Sequence, residues 1–262
     1  MSHTVPDTAT EIDLNADVGE SYGAFTIGND AALMPSITSA NVAAGFHGGD
    51  PSVLRQTIRL AKQHGVAIGA HPGFPDLVGF GRRELTVSPV EAEDFVLYQI
   101  AAVSGVAAAE GVPLQHVKPH GALYHVAARD ASLAAAIARA IAAFDRRLIL
   151  FAPFDSELYN AGLAAGLGVA AEAFADRGYE PDGSLVSRRK PGAVIHDRET
   201  VVGRALQMAR SRQVTAIDGT VVPLDVDTIC VHGDTPGAAA LAATLRGALD
   251  AAGVIVRPIG RR

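Results

Sequence analysis

Short β-like runs recur along the chain and alternate with longer segments of helical periodicity. Eight of these runs have the length and composition of β-strands: 11–15, 37–41, 66–70, 116–118, 148–152, 169–174, 228–231 and 254–258. Strands that alternate with helices favour a parallel sheet covered by helices, and eight strands suit a closed α/β barrel. We therefore expect a (β/α) barrel with seven or eight strands.

The intervening segments carry start and stop signals for helices. The segment 52–64 ends at Gly65, a residue typical of helix C-termini. Ser88, Pro89 and Glu91 form an N-cap, a first-turn proline and a capping box for a helix that runs towards Glu110. Further helices are predicted at 132–144, 156–165, 198–211 and 236–252.

Two segments interrupt this alternation. Residues 178–192 look irregular, and 214–224, with Asp218 and Gly219 at the turn, resemble a β-hairpin that could form a lid or rim. No internal repeat or linker divides the chain. We expect one catalytic domain, 1–262, with a flexible tail at 1–10.

Composition narrows the class of protein. With 48% hydrophobic residues, 262 residues can bury a large core, and no apolar stretch is long enough to span a bilayer. The polar start of the chain fits a cytoplasmic protein. A net charge of -6 without a long basic run argues against nucleic acid as a partner. Cys230 is the only cysteine and is predicted to be a buried strand thiol.

Uncommon polar residues follow almost every predicted strand. They form six groups: Asn15, Asp17 and Glu20; Asn41, His47 and Asp50; His71; Lys118, His120 and Tyr124; Glu172, Asp176 and Arg177; His232 and Asp234. Because the C-terminal ends of parallel strands lie on one face, we expect these side chains to converge on one pocket. Four histidines in glycine-containing turns support an active site there.

Each group also has a structural interpretation. Asp50 could simply cap the next helix, and a single histidine at a strand end is often a hydrogen-bonded structural residue. His116 and His120 are too far apart on an extended strand to share a metal ion. Lys118 could provide a charge for a carboxylate or phosphate, act as a base if desolvated, or form a structural ion pair.

Motifs of several enzyme classes are missing. The sequence contains no G-x-x-x-x-G-K-[ST] phosphate loop, no G-x-S-x-G elbow and no H-E-x-x-H helix. A serine hydrolase or a Walker-type ATPase is therefore a poor interpretation.

The polar loops resemble the successive signatures of the LamB/YcsF family. The matching motifs are Asp13-Leu-Asn-Ala-Asp-Val-Gly-Glu20, Asn41-Val-Ala-Ala-Gly-Phe-His-Gly-Gly-Asp-Pro51, Gly69-Ala-His-Pro-Gly-Phe-Pro-Asp-Leu-Val-Gly-Phe-Gly-Arg-Arg83, Val117-Lys-Pro-His-Gly-Ala-Leu-Tyr124, Glu172-Ala-Phe-Ala-Asp-Arg177 and Cys230-Val-His-Gly-Asp-Thr-Pro-Gly237. The chain departs from the usual pattern at Ala44, where the family carries Cys, and at Gly48, where it carries Ala. A cysteine nucleophile at position 44 is thereby excluded, which favours water as the attacking group.

The resemblance implies an irregular TIM-like barrel related to the glycoside hydrolase and deacetylase group. It also implies a hydrolase that opens 5-oxoproline to glutamate with consumption of ATP, together with partner subunits B and C. Those partners would bind ATP and phosphorylate the lactam oxygen, and this chain would open the activated ring. Whether copies of the chain associate with one another is left open.

We assign candidate roles on this basis. Catalytic candidates are Asp17, His47 and His71 as activators of water, and Lys118 and His120 as groups that take up negative charge. Arg82 or Arg177 would hold the substrate carboxylate. The remaining substrate-binding candidates are Asn15, Asn41, Tyr124, Glu172, His232 and Asp234. A divalent metal on Asp17, His47 and His71 is a separate hypothesis.

Two other functions compete with this one. The chain could be a self-sufficient, metal-dependent amidase or deacetylase that needs neither ATP nor partners. It could also be a non-catalytic subunit that only captures substrate.

Overall fold

Seven parallel strands close into a barrel in the computed structural model, which describes residues 10–187, 190–234 and 237–260. The barrel strands are β1 (Glu11–Val18), β2 (Ser39–Ala43), β3 (Ala67–His71), β4 (Leu114–Val117), β5 (Ile149–Pro153), β6 (Gly168–Phe174) and β9 (Thr228–Val231). Each pairs with the next in this order, and β9 closes the ring by pairing with β1. The predicted (β/α) barrel is confirmed.

The eighth predicted strand lies outside the ring. β10 (Ile255–Val256) pairs with Glu11 and Ile12 at the start of β1, whereas β9 pairs with the following residues of the same strand. The first strand is long enough to serve both partners. The barrel is therefore irregular, with seven strands in the ring and one short additional strand.

Helices follow the strands and cover the barrel. Their bounds are α1 (Asp30–Leu33), α2 (Pro51–His64), α3 (Pro89–Ala109), α4 (Gly121–Ala127), α5 (Ala131–Phe144), α6 (Glu157–Ala164), α7 (Arg198–Ser211) and α8 (Ala238–Ala251). The capping box of Ser88 and Glu91 is present, and Gly65 ends α2 in the left-handed conformation, as predicted. The short helices α1 and α4 were not predicted, and Pro236, the predicted start of the last helix, lies outside the described residues.

The first strand shows why the interior of the barrel is polar. Ile12, Leu14 and Ala16 belong to the hydrophobic core. Their neighbours Asp13 and Asn15 form side-chain hydrogen bonds with residues of other barrel strands. Because successive strand residues point to opposite faces, the apolar set faces the helices and the polar set faces the barrel interior.

The two irregular segments lie beyond β6 and pack on each other. β7 (Gln213–Thr215) and β8 (Val221–Pro223) form the predicted antiparallel hairpin, and the Ile217 amide donates to the carbonyl of Tyr179. Arg177 holds the irregular segment that precedes the hairpin, because its guanidinium donates to the carbonyls of Val186 and Ala193. A lid function for the hairpin stays a prediction.

Several other sequence predictions remain untested. The proposed tail, 1–10, lies outside the described residues except for Thr10, and so do residues 188–189 of the irregular segment 178–192. The single catalytic domain and the cytoplasmic location stay predictions. Across the described parts of the chain, no helix combines the length and the apolar composition that a membrane crossing requires.

Asp13, buried inside the barrel, makes stability depend on pH. Its carboxyl accepts hydrogen bonds from the hydroxyls of Thr38, Ser39 and Thr228 at 2.6, 2.7 and 2.5 Å. Burial outweighs these donors and raises its pKa from 3.8 to about 6. The folded state therefore holds the proton more tightly, so the stabilisation is complete below pH 3.8 and is lost as the pH rises through 6.

We predict that Asp13→Asn removes this dependence. The free energy of unfolding of the wild type, relative to the variant, should fall by up to about 3 kcal/mol between pH 4 and pH 7. Urea denaturation at several pH values measures it. Asp130→Asn is the control, and it should change the pH dependence of stability in the opposite direction. Asp130 caps α5, and two backbone amides lower its pKa. A difference between wild type and Asp13→Asn that does not vary with pH would contradict the prediction.

Candidate active site

Polar side chains from several strand ends meet at the C-terminal mouth of the barrel. Asp17 is the penultimate residue of β1, His71 ends β3, Lys118 and His120 follow β4, and Glu172 lies near the end of β6. Glu20 and His47 reach the same region from the loops after β1 and β2. All seven are almost completely buried. The structure thus brings together all five predicted catalytic candidates.

The Lys118 ammonium group is the centre of the deeper half of the site. Its Nζ lies 2.9 Å from Oδ1 of Asp17, 2.8 Å from Oε1 of Glu172, 3.2 Å from Oδ1 of Asn15 and 3.0 Å from Sγ of Cys230. One cation therefore connects the side chains of β1, β6 and β9 to the end of β4.

These contacts fix the charges of Lys118 and Asp17. Burial opposes the charged form of Lys118, but Asp17, Cys230 and Glu172 together hold its pKa well above the ordinary value. Burial also opposes the Asp17 carboxylate, but His71 and Lys118 hold its pKa well below the usual range. Of the alternatives for Lys118, the structure favours a fixed positive charge over a base.

An amide layer lies directly below this cation. Asn41 donates to Oδ1 of Asn15 at 2.7 Å and of Asp17 at 2.9 Å, and its own oxygen lies 2.8 Å from Nε2 of His116. His116 stacks on Phe151, and burial lowers its pKa to about 3. The Asn41 NH2 group donates to Asn15 and Asp17, so its oxygen faces His116 and accepts from Nε2.

Three histidines and Glu20 form the outer half of the site. The rings of His47 and His120 stack in parallel with centroids 3.7 Å apart, and His71 meets both edge-on. Oε1 of Glu20 lies 3.3 Å from Nε2 of His47 and 3.5 Å from Nδ1 of His120. One donor atom from each of the four residues lies within 4.8 Å of the others.

The contact between His71 and His120 requires a positive charge. Nδ1 of His71 lies 2.7 Å from the carbonyl of Lys118, and Nε2 of His120 lies 2.8 Å from the carbonyl of Phe80. Both atoms must carry hydrogen, because a carbonyl only accepts. The two remaining nitrogens face each other at 2.9 Å. Two lone pairs at this distance would repel, so a shared proton or a cation must lie there.

The four outer residues suit a metal ion. Burial and the neighbouring imidazoles lower the pKa of His47 and His120 well below the ordinary value, which leaves neutral rings with free lone pairs. Burial, with the negative charges of Asp17 and Asp234, raises the pKa of Glu20, so a nearby cation would stabilise its carboxylate. Imidazole and carboxylate are ordinary ligands of zinc and other divalent metals. Asp17, one of the three predicted metal ligands, is not one of these four; its Oδ1 lies 2.9 Å from Nζ of Lys118 and 3.3 Å from Nε2 of His71.

Glycines allow the loops to pack against these rings. A Cβ on Gly73 would lie 2.6 Å from Nδ1 of His47, and one on Gly81 would lie 2.8 Å from both His47 and His120. Gly48 is one of the two positions that depart from the family pattern. A Cβ added there would lie 2.9 Å from the carbonyl oxygen of Glu20. Ala44, the other departure, packs against the core.

The predicted substrate-binding residues occupy different surroundings. Asn15, Asn41 and Glu172 belong to the buried cluster just described. Tyr124 is buried close to Glu172, and burial together with that negative charge raises its pKa well above the ordinary value. Arg82 binds Asp234 at the exposed edge of the mouth.

The other candidates face the segment after β6. Nδ1 of His232 lies 3.0 Å from Asp176, and its ring stacks on Phe174. The guanidinium of Arg177 donates to backbone carbonyls of this segment. Asp50 only caps α2 and holds the amide of Gly23, which is the structural interpretation. Cys230 is the predicted buried thiol.

Glu20 has no role among the sequence predictions, although it belongs to the polar group that follows β1. It lies beyond the end of the strand, and Gly19, with φ +69°, turns the chain before it. Strand periodicity therefore gives no direction for its side chain. The signal available in the sequence is only its place in that group.

A comparison with protein families identifies the chain. The LamB/YcsF family model matches residues 12–262. The chain belongs to the LamB/YcsF family. Relatives named as the A subunit of 5-oxoprolinase include one from Chloroflexus aggregans, 59% identical over 94% of this chain and 98% of that protein. Another, from Symbiobacterium thermophilum, is 56% identical over 94% of each chain.

A solved structure of a close relative shows the same fold. The lactam utilization protein from Thermus thermophilus superposes with a TM-score of 0.92 at 51% identity, over 95% of this chain and 100% of that one. A cellobiose-phosphate cleavage protein from Enterococcus faecalis shares the fold alone, with a TM-score of 0.55 at 13% identity over 95% and 97% of the two chains. The predicted relation to deacetylases stays a prediction.

We predict that Lys118→Met destabilises the protein by about 3–5 kcal/mol, because Asp17 and Glu172 would be left as buried charges without a cation. Urea denaturation measures the loss. Lys118→Met combined with Glu172→Gln should lose less, since one of the two charges is removed. Lys62→Met, at the exposed end of α2, is the control. Equal stability of Lys118→Met and the control would contradict the prediction.

Proposed function

We propose that this chain is the ring-opening subunit of an ATP-dependent 5-oxoprolinase. Relatives named as the A subunit of 5-oxoprolinase match it over nearly their whole length, which supports the assignment of substrate and reaction. The buried arrangement of Asp17, Glu20 and three histidines at the barrel mouth is the observation that carries the chemistry. In this reaction the amide bond of 5-oxoproline is hydrolysed to give glutamate.

Two neighbouring carboxyl groups with opposite pKa shifts suit acid–base catalysis. His71 and Lys118 hold the pKa of Asp17 well below the usual range against the effect of burial, whereas burial raises the pKa of Glu20 well above its ordinary value. Two carboxyl groups whose surroundings move their pKa values apart are suited to different acid–base roles. Glu20 therefore joins Asp17, His47 and His71 as a candidate for the activation of water.

The proposed reaction begins when the partner subunits transfer a phosphoryl group from ATP to the lactam oxygen. A water adds to C5, Glu20 takes its proton, the C5–N bond breaks and the proton passes to the departing nitrogen. A second water cleaves the resulting acyl phosphate to glutamate and phosphate. The fixed positive charge of Lys118 would favour the negative charge that develops on the C5 oxygens without a direct hydrogen bond, since its ammonium group is held by Asp17, Glu172 and Asn15. His120 would orient His71, because its own nitrogens are held by Phe80 and His71.

A divalent metal would change the task of Glu20. Glu20, His47, His71 and His120 would hold it, and it would supply Lewis acidity and lower the pKa of a water molecule. Glu20 would then be a ligand, and Asp17 would be the carboxylate left to receive the proton.

Three components should be necessary for turnover. We propose subunits B and C as the partners, with ATP bound on them, because this sequence lacks a phosphate-binding loop. Oxoproline-dependent ATP hydrolysis and glutamate formation should be measured with this chain alone, with the partners alone and with all three. Dependence on all components supports the proposal. Amide hydrolysis by the chain alone would instead support a self-sufficient amidase.

We predict that Glu20→Gln and His71→Ala each lower glutamate formation by the complete complex by at least about 100-fold, because proton transfer is lost. His64→Ala, an exposed histidine on α2, is the control and should leave the rate unchanged. Thermal denaturation checks that each variant folds. Near-normal glutamate formation by folded Glu20→Gln and His71→Ala would show that the cluster is not catalytic and would favour a substrate-capturing role.

We also predict that the purified chain contains about one transition-metal ion, because four buried donors converge. Elemental analysis measures the content, which should be lost when His71→Ala and His120→Ala are combined and retained in His64→Ala. Activity should fall after chelation and return with metal. Full activity of a metal-free wild type would contradict this prediction. Glu20 would then transfer the proton without the help of a metal.

A further inference from the structure

We propose that Arg82 and Asp234 form an exchangeable ion pair at the mouth, in which the carboxylate of the substrate replaces Asp234 on the guanidinium of Arg82. This inference rests on the proposed function and adds a specificity determinant to it. The site would then select small lactams that carry a carboxylate on the ring.

Arg82 lies one aromatic ring away from the histidine cluster. Its guanidinium carbon is 5.1 Å from the centre of the Phe80 ring. The Phe80 ring in turn contacts His47 and His120 edge-on, with centroids 5.8 and 5.3 Å away. A carboxylate held by Arg82 would therefore place a small attached ring within reach of the reacting groups.

The pair connects the loops that follow β3 and β9 and is partly exposed to solvent. Nη2 of Arg82 donates to Oδ2 of Asp234 at 2.7 Å, and the loops that carry them follow β3 and β9. The side chains are 42% and 21% exposed. An exposed ion pair contributes little to stability, so one carboxylate can replace another at small cost. The planar guanidinium is also suited to bidentate binding of a carboxylate.

Other arginines near the mouth are fixed by partners that a substrate cannot easily replace. Arg177 and Arg204 donate to backbone carbonyls that form part of the fold. Arg83 binds the buried carboxylate of Asp76. Of the two arginines predicted to hold the substrate carboxylate, Arg82 is the better candidate.

Both members of the pair influence the pKa of Glu20, the proposed catalytic carboxyl group. The negative charge of Asp234 raises the pKa of Glu20, and the positive charge of Arg82 lowers it. Both side chains therefore act on Glu20 directly. A substrate that takes the place of Asp234 on Arg82 would bring its own negative charge to the same region.

Isothermal titration calorimetry on the isolated chain tests this inference with two probes, 5-oxo-L-proline and 2-pyrrolidone, which has the same lactam ring without the carboxylate. The wild type should bind 5-oxo-L-proline more tightly. Arg82→Ala should weaken its binding roughly tenfold or more and leave 2-pyrrolidone unaffected. Asp234→Asn should tighten binding of 5-oxo-L-proline several-fold, because Arg82 loses its competing carboxylate.

Arg129 and Glu84 provide a matched control pair. They form an ion pair of the same 2.7 Å length with both side chains exposed. Arg129→Ala and Glu84→Gln should leave the binding of both probes unchanged.

The outcomes separate this inference from the proposed function. If Arg82→Ala retains the preference for the carboxylate, if Asp234→Asn does not tighten binding, or if the wild type binds the two probes equally, the exchange is wrong. The proposed function stands in each case if the complete complex converts 5-oxoproline to glutamate. If it does not, the proposed function is wrong whatever the calorimetry shows.

Discussion

A single buried ammonium group connects the strands on which the site is built. Lys118 bonds to Asp17 on β1 and to Glu172 on β6, and it contacts Cys230 on β9. Burying three charges is costly unless their geometry is good and their remaining hydrogen bonds are satisfied. The amide layer of Asn15 and Asn41 contributes to that requirement from below. The positions of the outer histidines depend on this arrangement, because His71 bonds to the Lys118 backbone.

The outer cluster differs, because its three imidazoles and the Glu20 carboxyl group converge on one point and favour a positive charge there. His71 and His120 each donate from one nitrogen to a backbone carbonyl, so their facing nitrogens, 2.9 Å apart, share one proton or one cation. Glu20 is beside it. The deeper layer therefore pairs its carboxylates with Lys118, whereas the outer cluster offers ligands for a further positive charge. This contrast separates the deeper half of the polar interior from the half that we propose to be reactive.

Much of the fold could be predicted from local signals. Short β-like runs marked all the barrel strands, and the capping box of Ser88 marked the start of α3. The short helix α4 was not predicted because its seven residues follow His120, which provides no side-chain cap. The number of strands in the ring depends on how β1 divides its length between β9 and β10, and this is a matter of tertiary pairing.

The site was less predictable than the fold. Convergence at the strand ends followed from parallel topology, because Asp17, His71 and Lys118 lie at or next to those ends. The direction of a loop side chain does not follow from periodicity, so Glu20 had no predicted role. The sequence also could not show which arginine is available to bind a substrate carboxylate. Only the structure shows that Arg177 donates to backbone carbonyls.

The backbone of Phe80 is strained at the point where its carbonyl holds the His120 imidazole. This residue has a φ of +54°, a left-handed conformation that disfavours side chains with a Cβ. Its carbonyl accepts from His120, and its ring packs on His47 and carries Arg82. Glycine or asparagine would relax the backbone there, so a search for thermostable variants would tend to select them. Such variants would lose the aromatic surface that aligns three functional side chains, and gains in heat tolerance at this position should come with a loss of turnover.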